Sequence, residues 1–170
     1  MRCLGIDISS TTIGVAIVDN GNTLVFMDFF SPSASKKDDL LDKLSKSKKY
    51  LINLIDTYKP DVIAIEDIIL AKNKLTTIKT LATLAIFNKA LSLAILDYTN
   101  KKPHFFNVLK IRHKIKIDSF PKKEDVPDLV AKHLKISFPW KKKKDKIIKQ
   151  NYDMADAIAV ALTYFLEKKK

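Results

Sequence analysis

A chain of 170 residues, 46% of them hydrophobic, is long enough to bury one core and too apolar to be disordered. Lys and Arg number 31 against 19 Asp and Glu, and the net charge of +12 points to a polyanionic partner, with nucleic acid ahead of an anionic membrane, although an AT-rich genome alone also enriches lysine. The single cysteine, Cys3, excludes an internal disulfide framework; no signal peptide precedes the first strand and no apolar run reads as a membrane span, so a reducing intracellular compartment is expected.

Three strands are predicted in the first thirty residues, at 2–8, 13–19 and 24–30. Ser9-Ser10-Thr11-Thr12 joins the first two, and Asn20-Gly21-Asn22 is a hairpin signal before the third. Gly5 and Gly14 flank the polar turn, where a small residue lets backbone or ligand approach closely. An amphipathic helix is predicted over 38–58, with Leu40, Leu44, Leu51, Ile55 and Tyr58 on one face and Lys59-Pro60 as its stop. Residues 62–66 form a short, wholly apolar strand ending in Glu66. A long helix over 75–98 is apolar nearly all round, so either later segments of the same chain or a second copy must cover its outer face. A strand at 104–109 follows. Residues 110–117 alternate basic and apolar side chains, which reads as a half-buried strand with Lys110, Arg112, Lys114 and Lys116 on one face. Lysines on an edge strand also serve simply to block aggregation. A short helix at 124–134, a charged and mobile linker at 141–149, and a final helix over 152–166 capped by Asn151 complete a single domain, 1–170. Strands first antiparallel and then alternating with helices imply an α/β fold with a mixed sheet.

Four carboxylates carry the chemistry. Asp7 lies inside the apolar run Leu4-Gly5-Ile6-Asp7-Ile8, Glu66 closes another, and Asp153 and Asp156 share one face at the start of the last helix. An acid in an apolar stretch is costly to bury without a counter-charge. A shared divalent cation would supply it, and oxygen ligands select Mg²⁺ or Mn²⁺ over zinc. Two such ions, about 3.5–4 Å apart, would activate a water and stabilise the leaving oxygen of a phosphodiester. Each acid alone has a plainer reading: Asp7 as a turn former, Glu66 and Asp67 as a solvated strand end, Asp153 and Asp156 as helix-start charges.

The blocks Gly5-Ile6-Asp7-Ile8-Ser9, Thr12-Ile13-Gly14-Val15-Ala16, Ala64-Ile65-Glu66, Ala71-Lys72-Asn73 and Asp153-Met154-Ala155-Asp156-Ala157-Ile158-Ala159-Val160 resemble the RuvC-type Holliday junction resolvases almost end to end. The resemblance implies an RNase H-like fold with a five-stranded mixed sheet, acting as a homodimer on four-way DNA junctions. It implies that Asp7, Glu66, Asp153 and Asp156 bind two Mg²⁺, with Mn²⁺ as a substitute, and that a lysine beyond the fifth strand takes part, Lys114 first and Lys110 second. Lys72, Arg112, Lys114 and Lys116 are the expected DNA contacts. Ile69 stands where bacterial members carry a base-wedging aromatic, which argues against strong sequence preference. Size, lysine content and the linker look most like the poxvirus branch, which would place the protein in host cytoplasm at viral replication sites.

Three rivals remain at this level. A ribonuclease on RNA–DNA hybrids needs the same acids. A non-catalytic branched-DNA binder gains nothing from burying carboxylates near phosphates. An actin-like ATPase needs a second glycine-rich phosphate loop, whereas the only glycines are Gly5, Gly14 and Gly21.

Overall fold

The structure, a computed structural model, describes residues 1–33, 38–68 and 77–168. Strands β1 (Arg2–Ile8), β2 (Ile13–Asp19), β3 (Thr23–Phe30), β4 (Val62–Asp67) and β5 (His104–Asn107) form one sheet in the order β3-β2-β1-β4-β5. β2 runs antiparallel to β1 and β3, while β1, β4 and β5 are parallel. This is the RNase H-like mixed sheet expected from the sequence.

The period-2 alternation of the strands sorts the core into two layers. Leu4, Ile6 and Ile8 of β1, Ile13, Val15 and Ile17 of β2, and Ile63 and Ile65 of β4 face helices α1 (Leu40–Tyr58) and α2 (Ile78–Thr99), where Leu51, Leu54, Phe87, Leu91 and Ile95 meet them. Cys3, Ala16, Val18 and Ala64 face the other way, onto α3 (Val108–Ile115), α4 (Val126–Leu134) and α5 (Gln150–Lys168). By the same alternation Asp7 and Glu66 belong to the α5 side.

Helix α5 lies directly on β1 and β2 because its core-facing stretch is built of Ala155, Ala157, Ala159 and Ala161. A Cβ on Gly5 would collide with the Ala157 carbonyl, and one on Gly14 with the carbonyl of Asp153. The close approach anticipated for these glycines is therefore to the backbone of α5.

Three local expectations are corrected. Residues 110–117 are not a strand: α3 begins at Val108, straight after a β5 that stops at Asn107. The Asn107 side chain caps the helix by accepting from the Lys110 amide, and Ile111 and Ile115, four apart, are its buried pair. The stretch 141–149 is not a loose linker but a small hairpin, β6 (Lys142–Lys143) with β7 (Lys146–Ile147). Asn151 is not a cap; it sits inside α5, fully buried, where its side chain accepts from the Lys141 amide and donates to the carbonyls of Lys141 and Ile148.

Helix α2 is long and apolar enough, by length and composition, to cross a membrane, against the expectation that no run would be. One side of it, Phe87, Leu91 and Ile95, is built into the sheet's core. The other leaves Ile78, Ile86 and Leu93 exposed, at 86%, 53% and 57%. Lys72 and Ile69 lie outside the described residues, as do Ala71 and Asn73.

Candidate metal centre and nucleic-acid cleft

The site assembles at the C-terminal ends of the parallel strands, where open α/β sheets place ligands. Ile6 pairs with Ile65, so Asp7 on β1 and Glu66 on β4 follow at neighbouring positions of one face. Asp7 also pairs with Gly14 on β2, and the bare Gly14 backbone lets the Asp153 turn of α5 settle against it. Oxygens of Asp7, Asp153 and Asp156 all lie within 4.8 Å of one another. Glu66 lines the same cleft, a cavity of about 600 Å³ that also takes in Arg112 and Lys123. Gly14→Ala is accordingly expected to displace Asp153: nicking should fall at least about tenfold and thermal stability should drop, by the overpacking cost of about 1–3 kcal/mol. Unchanged activity together with an unchanged melting temperature would refute this packing account.

The electrostatics are those of too many acids in too little water. Burial raises the Asp7 carboxyl well above the ordinary aspartate range, and the charges of Glu66, Asp156 and Asp153 push it further. Burial, then Asp156, lifts Glu66 to about 7. Asp156 is also raised, chiefly by burial, with Lys123 opposing. Lys123 lies 3.4 Å from Asp153 and 3.3 Å from Asp156. Burial works against its charge, but Asp156, Asp153 and Asp7 win and raise it.

One lysine cannot neutralise four carboxylates. The donors are all carboxylate oxygens, with no His or Cys among them, which fits a hard divalent cation. The sign of the pH effect follows. A carboxyl whose folded value is raised favours the fold below its unfolded value and loses that contribution as pH climbs through the folded value. For Glu66 the window runs from the ordinary value of 4.5 up to about 7. In EDTA the melting temperature is therefore expected to fall between pH 5 and pH 8, and added Mn²⁺ or Mg²⁺ should raise it most at pH 8. Differential scanning fluorimetry checks both; an equal metal-induced shift at both pH values would contradict it.

The structure brings together Asp7, Glu66, Asp153 and Asp156, as the sequence led us to expect, with Arg112 at the rim. It does not bring Lys110 or Lys114 there. On a helix Lys110 and Lys114 share a face turned well away from that of Arg112, and Lys110 pairs with Glu167 at 2.6 Å. Lys116 follows the end of α3, exposed. The lysine at the acids is Lys123, in a single 3₁₀ turn (Lys123–Asp125) ahead of α4. It stands in the charged run Lys122-Lys123-Glu124-Asp125, whose sequence carries no periodicity to single it out. Asp67 also lines the cleft, but it pairs with Lys89 at 2.8 Å and is not among the three acids whose oxygens converge.

The family model for the crossover junction endodeoxyribonuclease RuvC matches residues 3–164. The chain belongs to the RuvC family. RuvC from Helicobacter pylori (strain G27) is 31% identical over 168 residues, covering 96% of each chain. The fold matches that of Thermus thermophilus RuvC in complex with a Holliday junction substrate, with TM-score 0.76 and 15% identity over 99% of this chain and 95% of that one. A fowlpox virus resolvase in complex with Holliday junction DNA is more distant, at TM-score 0.55 and 17% identity over the whole of both chains. The RuvC family model spans both ends of the cleft, from β1 to α5.

Proposed function

We propose that this protein is a metal-dependent endonuclease that resolves four-way DNA junctions by paired, symmetric nicks, working inside the cell as one nuclease domain over 1–170. The observation that carries the reading is the convergence of Asp7, Glu66, Asp153 and Asp156 at one end of the sheet in a chain of the RuvC family. These four residues would hold two Mg²⁺, or Mn²⁺ in their place. Bound there, such ions supply charge neutralisation at the scissile phosphate and a more acidic attacking water.

The chain's own residues do the rest. By holding the ions at the strand ends, the acids would set where the phosphodiester sits, a positioning contribution to the rate. Lys123, on a separate element from the acids, is placed to turn from Asp153 and Asp156 toward phosphate charge that grows in the transition state. Arg112, whose Nε is buried without a hydrogen-bond partner among the described residues, offers a second cation at the rim. Lys114 and Lys116 remain candidates for backbone contacts further out, as does Lys72.

A homodimer joined through the exposed Ile78, Ile86 and Leu93 side of α2 would place one cleft on each of two symmetric strands. Near full-length similarity to bacterial relatives favours a bacterial-type enzyme over the poxvirus branch.

The test uses a synthetic four-way junction with each strand labelled in turn, in Mg²⁺, with linear duplex and RNA–DNA hybrid as controls. Paired nicks at symmetry-related positions, absent from the controls, are expected. Cutting confined to the hybrid would make the protein a ribonuclease. Binding without any cutting would make it a junction-binding module.

A further inference from the structure

The hairpin formed by β6 and β7 has no part in the site described so far. It carries six lysines over residues 141–149 against one acid, Asp145. Lys142, Lys143, Lys144 and Lys146 are exposed, and among the described residues none of them meets an acid at ion-pair distance. Lys143 and Lys146 are paired directly across the two strands. Like charges in that position repel, so the ribbon is built at a cost. Its turn residues, Lys144 and Asp145, both take positive φ, at 49° and 60°, in a tight turn where Asn-Gly would sit without strain. Charge is thus kept at the tip where glycine would be easier.

The ribbon is nevertheless firmly held. Asn151 clamps its base through hydrogen bonds to the Lys141 amide and to the carbonyls of Lys141 and Ile148. The Lys141 ammonium reaches Asp28 on β3 at 2.6 Å. Trp140 packs on Phe138 and Tyr152 beneath it. With so few residues in each strand there is little sheet edge for the lysines to protect, so aggregation blocking does not account for four of them.

Its position is informative. Lys149, leaving the hairpin, lines a hollow of about 210 Å³ with Tyr152, and that hollow shares Lys123 and Asp153 with the acid cleft. The hairpin's exit therefore borders the acid cleft.

We propose that the β6–β7 hairpin is a preformed phosphate clamp that grips the backbone of duplex DNA beside the cleft, through Lys142, Lys143, Lys144 and Lys146. The proposal rests on the nuclease reading for its biological setting but not for its chemistry, which is backbone neutralisation and is indifferent to base sequence. The phosphates relieve the Lys143–Lys146 repulsion. The anchored base means that little order has to be gained on binding. An anionic membrane would offer similar charge, but Ile147 is the ribbon's one exposed large hydrophobic residue, and the nearby Trp140 is engaged with Phe138 and Tyr152.

The experiment measures binding of the full chain to a fluorescent four-way junction and to a fluorescent linear duplex, by anisotropy without divalent metal, over a range of KCl concentrations. Lys142, Lys143, Lys144 and Lys146 are all changed to Gln in one variant and to Arg in another. Each neutralised phosphate contributes about 0.9 to the slope of log affinity against log salt. The Gln variant is expected to lose up to about 3.6 in that slope and at least tenfold in affinity on both probes, and the Arg variant to recover both. The single-turnover nicking rate at saturating protein should stay within about twofold. An unchanged slope and affinity in the Gln variant overturns the clamp. So does failure of the Arg variant to recover, which would make the lysines structural. Vesicles containing phosphatidylserine that bind wild type but not the Gln variant, with DNA binding unaffected, would assign the ribbon to membranes instead. Hairpin-dependent DNA binding in a protein that never nicks a junction would remove the resolvase reading and leave the clamp standing.

Discussion

Asp7→Asn is expected to lower the rate of junction nicking by about a thousandfold or more while leaving the junction bound at least as tightly as by wild type. The carboxylate sits at the centre of the cluster, with oxygens of Asp153 and Asp156 within 4.8 Å. Removing its charge weakens the cation site on which the phosphodiester depends, a loss of several kcal/mol of charge stabilisation, each 1.36 kcal/mol being about tenfold in rate. The same change deletes a negative charge from a surface that meets phosphates, so binding should hold or improve. It also removes a charge whose burial, and then whose repulsion from Glu66, Asp156 and Asp153, raises Asp7, so in EDTA at pH 8 the variant should melt at a higher temperature than wild type. Loss of binding together with cutting, and a lower melting temperature, would show that Asp7 is needed for the fold rather than for the chemistry.

Lys123→Met is expected to be the second largest effect, slowing nicking by about a hundredfold or more, the usual cost of deleting one preorganised donor at a developing oxyanion. Its other consequences run in opposite directions. Without the ammonium near Asp153 and Asp156 the metal-free protein should lose stability at pH 8. A divalent cation, no longer competing with that internal charge, should bind more tightly. Calorimetric titration with Mn²⁺ measures the second effect and fluorimetry the first. The comparison that decides is Lys114→Glu on α3: equal losses of saturated rate in the two variants would return the assisting lysine to α3.

The contrast between these residues explains what the sequence could and could not reveal. Asp7 and Glu66 were legible because an acid at the core end of an apolar strand violates the pattern around it. The spacing of Asp153 and Asp156 fixes their shared helix face without any tertiary information. The five-strand sheet followed from runs whose burial alternates at period 2. Residues 110–117 failed because Ile111, Ile115 and Ile117 satisfy a strand's alternation while Ile111 and Ile115 alone satisfy a helix's four-residue spacing. A side-chain cap from Asn107, invisible to either pattern, settles it as helix. Reading a strand there put Lys110, Arg112 and Lys114 on one face, whereas a helix separates the arginine from the two lysines. Lys123 was out of reach for a different reason. Its role depends only on where a 3₁₀ turn lands relative to α5, and local sequence does not encode that distance. The hairpin was hidden because a run of lysines reads as solvated coil, while its clamp, Asn151, reads as a helix cap.

One contact gives the enzyme's architecture a further meaning. Asn88 of α2, wholly buried, donates to the backbone carbonyl of Glu66 at 3.0 Å. The helix proposed to meet a second copy thus also bonds the strand end bearing one of the four acids. A shift of α2 on dimerisation would reach Glu66 through that one hydrogen bond. On the proposed α2 contact, a subunit on its own would cut poorly, so unpaired nicks would be rare.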